Sequence, residues 1–208
     1  MRIGGKGAVY KSINMGFTDN KQDIDKNWTL FLDRDGVINI ESVGSYITDW
    51  HDFVFLDGAL EAIKMASNLF GTIVVVSNQR GVGRGIMSLD ALKEINRNLK
   101  NTVAENGGTI DKIYNCTATS DEDHNRKPNT GMGLQAQEDF PQIDFKRSIM
   151  VGNSMPDMEF GKRLSMHTVF LTTKHDPVAM PSDLVDEQYP SLEAWAKTLV
   201  AVEVMAGC

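Results

Sequence analysis

From Trp28 onward, short apolar runs alternate with longer stretches whose apolar residues recur at helical spacing. WTLFLD (28–33) and SIMVGN (148–153) are apolar runs closed by acids or amides, and GTIVVVSN (71–78) is a β-branched run closed by polar residues. Such composition predicts buried strands. TIDKIYNC (109–116) and HTVFLTT (167–173) read as two further strands, the latter as the last. Between them the spacing predicts helices over 57–70, 88–108, 130–140, 156–164 and 191–205. Asp57 and Ser88 stand where N-caps belong, Pro156 where a first helical residue belongs, and Gly107 and Gly108 where a helix stops.

Strand–helix alternation at this spacing predicts an α/β fold, a Rossmann-like doubly wound parallel sheet with helices on both faces. Residues 1–27 show no sustained period and read as an N-terminal arm of unassigned role; 28–208 form the domain. GGKG (4–7) is no phosphate loop, since it lacks the upstream Gly, the Ser/Thr after Lys and a leading strand.

Composition narrows the classes. At 208 residues, one domain is expected. No stretch reaches the roughly 18 apolar residues of a membrane helix, and residues 1–16 contain no apolar signal core. Two cysteines, Cys116 and Cys208, cannot form a disulfide framework, so a cytoplasmic location is expected. The net charge of −7 repels polyanions, so no nucleic-acid partner is expected. No membrane partner is expected either, and the chain is read as a monomer or weak oligomer.

In open α/β sheets ligands bind beyond the carboxyl ends of the strands, and those ends carry the chemistry. The first gives Asp33-Arg34-Asp35-Gly36, two carboxylates two residues apart on one side of an extended segment. Such a pair can hold a hard cation or divide labour as nucleophile and general acid. It is not a calcium loop, because Val37 and Ile38 follow and the twelfth position is Gly44. The second end gives Ser77, Asn78, Gln79 and Arg80 before GVGRG, a set of hydroxyl, amide and cationic donors suited to phosphate. The third gives Arg126-Lys127-Pro128-Asn129 before a helix start, and the fourth Gly152-Asn153-Ser154 with Asp157 in the next helix. This is an inventory for phosphoryl transfer through a carboxylate nucleophile with magnesium.

FLDRDGVIN, VVVSNQRG, RKPNTGM and VGNSMPDMEFG resemble, in order, the four motifs of the haloacid dehalogenase superfamily of phosphatases, over roughly residues 28–175. DRDGVIN, FLDGALEAI, SNQRGVGRG and RKPNTGM look most like its group of D-glycero-D-manno-heptose 1,7-bisphosphate phosphatases and histidinol-phosphatases. The resemblance implies a HAD-like phosphatase domain acting on a small phosphorylated substrate, with the heptose bisphosphate first. Histidinol phosphate, another small phosphate, or a weakened phosphate-binding relative are the alternatives. It implies Asp33 as nucleophile, Asp35 as acid and base, and Ser77 and Lys127 as ligands of the transferring phosphoryl group. Asn78, Gln79 and Arg80, with segment 41–46, would shape the substrate pocket, and Arg126 would hold a second anionic group. Magnesium would sit among Asp33, the Asp35 carbonyl, Asn153 and Asp157.

Two departures stand out. The fourth motif usually begins with Asp where this chain has Asn153, an oxygen ligand without charge. Relatives also often carry a zinc loop, whereas Cys116 and His124 alone cannot fill a tetrahedral site, so no structural zinc is expected. About 40 residues separate the first two motifs, too few for a large cap domain. His51, His167 and His175 read as structural or solvated. Asp121, Glu122 and Asp123 read as an acidic turn able to gate the pocket.

Overall fold

In the computed structural model, which describes residues 24–42 and 46–206, strand β1 (Thr29–Leu32) is buried along its whole length. Its continuous apolar run fits that place, because both faces of a central parallel strand are covered. β2 (Thr72–Asn78) and β4 (Ser148–Gly152) flank it, with Leu32 level with both Val75 and Val151. β3 (Lys112–Cys116) lies outside β2, and β5 (His167–Leu171) outside β4. A sixth strand, β6 (Glu187–Tyr189), pairs with β5, so the strand predicted as last is not the edge. The order is 3-2-1-4-5-6 and all pairings are parallel.

The side-chain alternation of the strands sorts them into two cores. Leu30, Leu32, Ile73, Val75, Ile149 and Val151 face α1 (Ala59–Leu69), α3 (Leu89–Glu105) and α6 (Leu192–Ala206). Phe31, Val74, Val76 and Met150 face α4 (Gly131–Asp139) and α5 (Met155–Arg163). Cys116 ends β3, buried in this second core. A short α2 (Arg80–Gly83) follows β2.

Helix starts follow local chemistry, with two differences from the sequence expectation. Ser88 caps α3, its Oγ accepting from the Ala91 amide at 3.0 Å. α1 has no side-chain cap: Gly58, in the left-handed region at φ 74°, takes the place predicted for Asp57. α5 begins at Met155, one residue before Pro156, inside a Ser154–Asp157 capping box.

Between β1 and α1 the described residues form only a three-residue 3₁₀ turn (Trp50–Asp52) and two isolated bridges. That segment is pinned by Trp50 stacked on Phe53 at 4.8 Å and Phe53 edge-on to Phe55 at 5.1 Å. The predicted arm lies mostly outside the described residues, as do Gly4–Gly7 and Cys208. Its end, 24–27, packs on the domain. Ile24 enters the core and Lys26 Nζ donates to the Ser67 and Phe70 carbonyls at the end of α1. No helix among the described residues is long and apolar enough to cross a membrane.

Trp195 on α6 is buried beside Phe70, with ring centroids 6.3 Å apart. Trp195→Ala is expected to cost about 3–5 kcal/mol in urea unfolding. An unchanged midpoint would show that α6 contributes no packing to the sheet.

Candidate active site

The carboxyl ends of β1, β2 and β4 converge because parallel strands in register finish together. The loops leaving them open a cleft of ≈ 230 Å³. Asp33 follows β1, and its amide donates to the Val151 carbonyl of β4 at 3.0 Å, so the sheet ladder itself aims the residue. Ser77 lies in β2, Asn153 just beyond β4 and Asp157 in the first turn of α5; all four side chains are buried or nearly so.

Lys127 reaches this centre from a distant loop. Its Nζ donates to Asp33 Oδ1 at 2.8 Å and to the Val76 carbonyl at 2.6 Å, and pairs with Asp157 Oδ1 at 2.6 Å. Asn78 fixes the loop: its amide donates to the Lys127 carbonyl and accepts from the Lys127 N–H, both at 3.0 Å. An ammonium enclosed this way has all its protons satisfied, as a buried charge requires.

Asp35 lies on the turn after Asp33 and takes three donors. Arg34 Nη2 and Asn39 Nδ2 reach Oδ1 at 3.0 Å each, and Gln79 Nε2 reaches Oδ2 at 2.8 Å. The same Gln79 nitrogen donates to Ser77 Oγ at 2.8 Å, tying the β1 turn to the end of β2. Gly36 makes the turn possible: its φ is +80°, and a Cβ there would overlap the Asn153 amide.

These surroundings push the two carboxylates apart. Burial, reinforced by the charges of Asp157 and Asp35, outweighs Lys127 and raises Asp33 to about 7. Burial also pushes Asp35 up, but the Arg34 charge and the three hydrogen bonds outweigh it and leave Asp35 below the usual range. For Lys127 burial favours the neutral form, and the charges of Asp157 and Asp33 overcome it, holding the ammonium charged.

The donor set fits a hard cation. Asp33 Oδ2 and Asn153 Oδ1 have no hydrogen-bond partner among the described residues, whereas both Asp157 oxygens are engaged, Oδ1 by Lys127 and Oδ2 by Ser154. Two carboxylates about one ammonium leave negative charge unbalanced. Oxygen ligands with that excess suit magnesium, which takes one or two carboxylates and fills its shell with water or phosphate.

The remaining predicted residues sit at the rim. Asn78 and Gln79 line the cleft. Arg80 and Arg126 do not; both pair with Asp121, Arg126 through Nε at 2.8 Å. The acidic turn thus meets the two arginines rather than the cleft. The glycine-rich stretch serves packing, since a Cβ at Gly81 would press on the Tyr46 ring, which itself lines the cleft. Within segment 41–46, positions 43–45 lie outside the described residues. Lys174 and His175 also line the cleft. Periodicity could not find them, because they lie past the end of β5 in a segment without repeat.

Comparison with known proteins agrees with the fold. The family model described as polynucleotide kinase 3 phosphatase matches residues 29–174. The chain is 38% identical over 159 residues to the D-glycero-alpha-D-manno-heptose-1,7-bisphosphate 7-phosphatase of Burkholderia mallei, covering 73% of this chain and 82% of the relative. It is 34% identical over 157 residues to the D-glycero-beta-D-manno-heptose-1,7-bisphosphate 7-phosphatase of Vibrio cholerae, covering 72% and 83%. A solved D,D-heptose 1,7-bisphosphate phosphatase from B. bronchiseptica, complexed with magnesium and phosphate, shares the fold. Its TM-score is 0.75 at 24% identity, covering 84% of this chain and 99% of that one.

The Asp33 shift gives a stability signature. Folded Asp33 keeps its proton to about pH 7, while the unfolded group releases it near the ordinary carboxylate value of 3.8. The folded state therefore binds more protons between these values, and this group's contribution to metal-free stability falls as pH rises from about 4 to about 7. Magnesium is expected to raise the melting temperature more at about pH 8 than at about pH 5, and Asp33→Asn to raise the metal-free value at the higher pH. Thermal melts with magnesium and with EDTA check this; a magnesium shift independent of pH counts against it.

Proposed function

Since the chain belongs to the polynucleotide kinase 3 phosphatase family, within the haloacid dehalogenase superfamily of phosphatases, we propose that it hydrolyses a sugar phosphate monoester through an aspartyl-phosphate on Asp33. The lead substrate is D-glycero-D-manno-heptose 1,7-bisphosphate, cleaved at the 7-phosphate. The reading is carried by one observation: Asp33, held by Lys127, opens into the same cleft as Ser77 and the Gln79-bound Asp35.

Asp33 attacks phosphorus through one carboxylate oxygen, and the bond between phosphorus and the ester oxygen breaks. Asp35 gives its proton to the departing sugar oxygen. In the second half Asp35, now a carboxylate, takes a proton from water; the water oxygen attacks phosphorus and the acyl-phosphate bond opens. Inorganic phosphate leaves and both side chains are restored. Ser77 and Lys127 donate to the non-bridging phosphoryl oxygens, where charge must be met. Gln79 keeps Asp35 turned toward the ester oxygen, and Asn78 keeps Lys127 in place. Arg80 and Arg126 supply positive charge at the rim, shared through Asp121.

In the ligand-free protein the two shifts run against this chemistry: burial raises the nucleophile Asp33, while Arg34 and the hydrogen bonds hold the acid Asp35 low. Asp33, the Asp35 carbonyl, Asn153 and Asp157 would hold magnesium, which would supply positive charge to keep the nucleophile ionised and to offset the phosphoryl group. The incoming phosphate dianion, close to Asp35, raises that carboxyl and readies it as an acid.

The family model takes its description from a nucleic-acid phosphatase. The charge of −7 and the two bacterial relatives support a small substrate instead. One buried free cysteine, Cys116, supports a cytoplasmic setting.

Phosphate release from heptose, histidinol and other small phosphate esters, with magnesium and then EDTA, tests the proposal. Rapid, EDTA-sensitive release from the heptose bisphosphate is the expected result; release from other esters alone would discard that substrate. Asp33→Asn is expected to lose at least about 10³-fold in kcat while remaining folded. Substantial turnover in that variant would overturn the covalent route.

A further inference from the structure

Asp35, the proposed acid, is held from beneath by donors that a distant aromatic cluster keeps in place. Its Oδ1 takes Arg34 Nη2 and Asn39 Nδ2, each at 3.0 Å. Both donor residues are enclosed, Arg34 at 1% exposure and Asn39 at 0%. The Arg34 guanidinium gives one nitrogen to Asp35, and its Nε and Nη1 are buried without an acceptor among the described residues. Its central carbon instead lies over the Phe53 ring, 5.9 Å from the centroid. A cation at that range is attracted by the ring's negative face, most strongly where water is excluded. A planar guanidinium also stacks on such a face, which an ammonium cannot do.

Phe53 is itself clamped, stacked on Trp50 and edge-on to Phe55. The chain just beyond it pairs with the catalytic turn. Ile40 N–H donates to the Val54 carbonyl at 2.8 Å and Leu56 N–H to the Ile38 carbonyl at 2.9 Å, so Asn39 stands opposite Phe55 in an antiparallel bridge. Residues 53–56 therefore hold both donors to Asp35 Oδ1, one through a ring and the other through backbone. Trp50, Phe53 and Phe55 do not line the cleft.

We propose that Phe53 is a positioning residue of the reaction: acting through Arg34, its ring fixes the direction of the Asp35 carboxyl toward the ester oxygen. This rests on the phosphatase reading of the cleft and adds to it a residue outside the cleft lining. The ring and the Asp35 carboxylate together hold the guanidinium in one pose. An aliphatic side chain in place of Phe53 fills the space but offers no negative face. The guanidinium then turns to find acceptors for its two unpaired nitrogens, whose burial is costly. Asp35 follows it away from the ester oxygen. The loss falls on one event, delivery of the proton to the departing oxygen. Lys127 has its own attachments to Asp33 and the Val76 carbonyl and stays in place. An ester whose leaving group departs as a stable anion needs no such proton and escapes the loss.

The test measures kcat/KM for the heptose bisphosphate and for 4-nitrophenyl phosphate, on the full chain with magnesium. This parameter runs to departure of the leaving group and excludes hydrolysis of the phospho-enzyme, where Asp35 serves every ester alike. Phe53→Leu is expected to lose about tenfold on the sugar ester and less than about twofold on the aryl ester. Phe53→Tyr, which keeps the ring face, is expected to recover most of the loss. Both esters are read on one preparation, so a reduced folded fraction cancels. Equal losses on the two esters, or no loss on either, would overturn the proposal. On the sugar ester alone, Phe53→Leu in an Arg34→Lys background is expected to cost less than about twofold more. The full loss in that background would overturn the route through Arg34 and leave the phosphatase reading standing. An Asp35→Asn variant that loses equally on both esters would remove Asp35 as the acid, and the proposal with it. A wild type that releases phosphate from no ester would remove the phosphatase reading as well.

Discussion

The ammonium of Lys127 is the point on which the site hangs. It joins Asp33 beyond β1, the Val76 carbonyl of β2 and Asp157 of α5, and it comes from a residue 94 positions from Asp33. None of those groups could be buried there alone. An isolated carboxylate in that interior would take up a proton, and an isolated ammonium would lose one. Together they can be buried, with the ammonium charged, provided the Lys127 loop ends in one place. The reciprocal bonds between Asn78 and the Lys127 backbone supply that condition. The side chain at the end of β2 therefore acts through the lysine as much as through any ligand.

One ammonium between two carboxylates is an unequal division, and its consequence is chemical. Burial and the surplus negative charge raise Asp33, while Asp35, two residues away, is held low by Arg34, Asn39 and Gln79. The protein thus stores a charge imbalance beside two oxygens that lack hydrogen-bond donors. In the proposed chemistry a cation would lower Asp33 and a phosphate would raise Asp35, each acting on one carboxylate.

Much of this was legible in the sequence, because buried strands and strand-end residues leave strong local signals. The runs 28–33, 71–78 and 148–153 fix three adjacent strands, and the rule that ligands bind at carboxyl ends leads to Asp33, Ser77, Lys127 and Asn153. What was not legible depended on contacts between distant segments. β6 is three residues long, with Glu187 and two half-buried polar or aromatic neighbours, and has no period to detect. Gly58 replaces Asp57 as the start of α1 because the chain arrives there in a left-handed turn, which spacing does not encode. Arg80 and Arg126 look like ligand donors in isolation, yet Asp121, on the turn that follows β3, engages both. Lys174 is one exposed lysine among many until the fold brings it to Glu41 and the cleft.

The central position of β1 has a consequence for how the molecule is made. Its two neighbours arise from residues 72–78 on one side and 148–152 on the other. As the chain leaves the ribosome, β2 follows soon after β1, but the opposite edge of β1 stays open until β4 has been synthesised. An apolar strand with one bare edge invites pairing with other chains. The carboxylate proposed to attack phosphorus is thus among the earliest groups of the centre to be translated. It is also among the last to be enclosed, since the ladder that aims it and the helix that carries Asp157 both come after β3 and α4 in the chain.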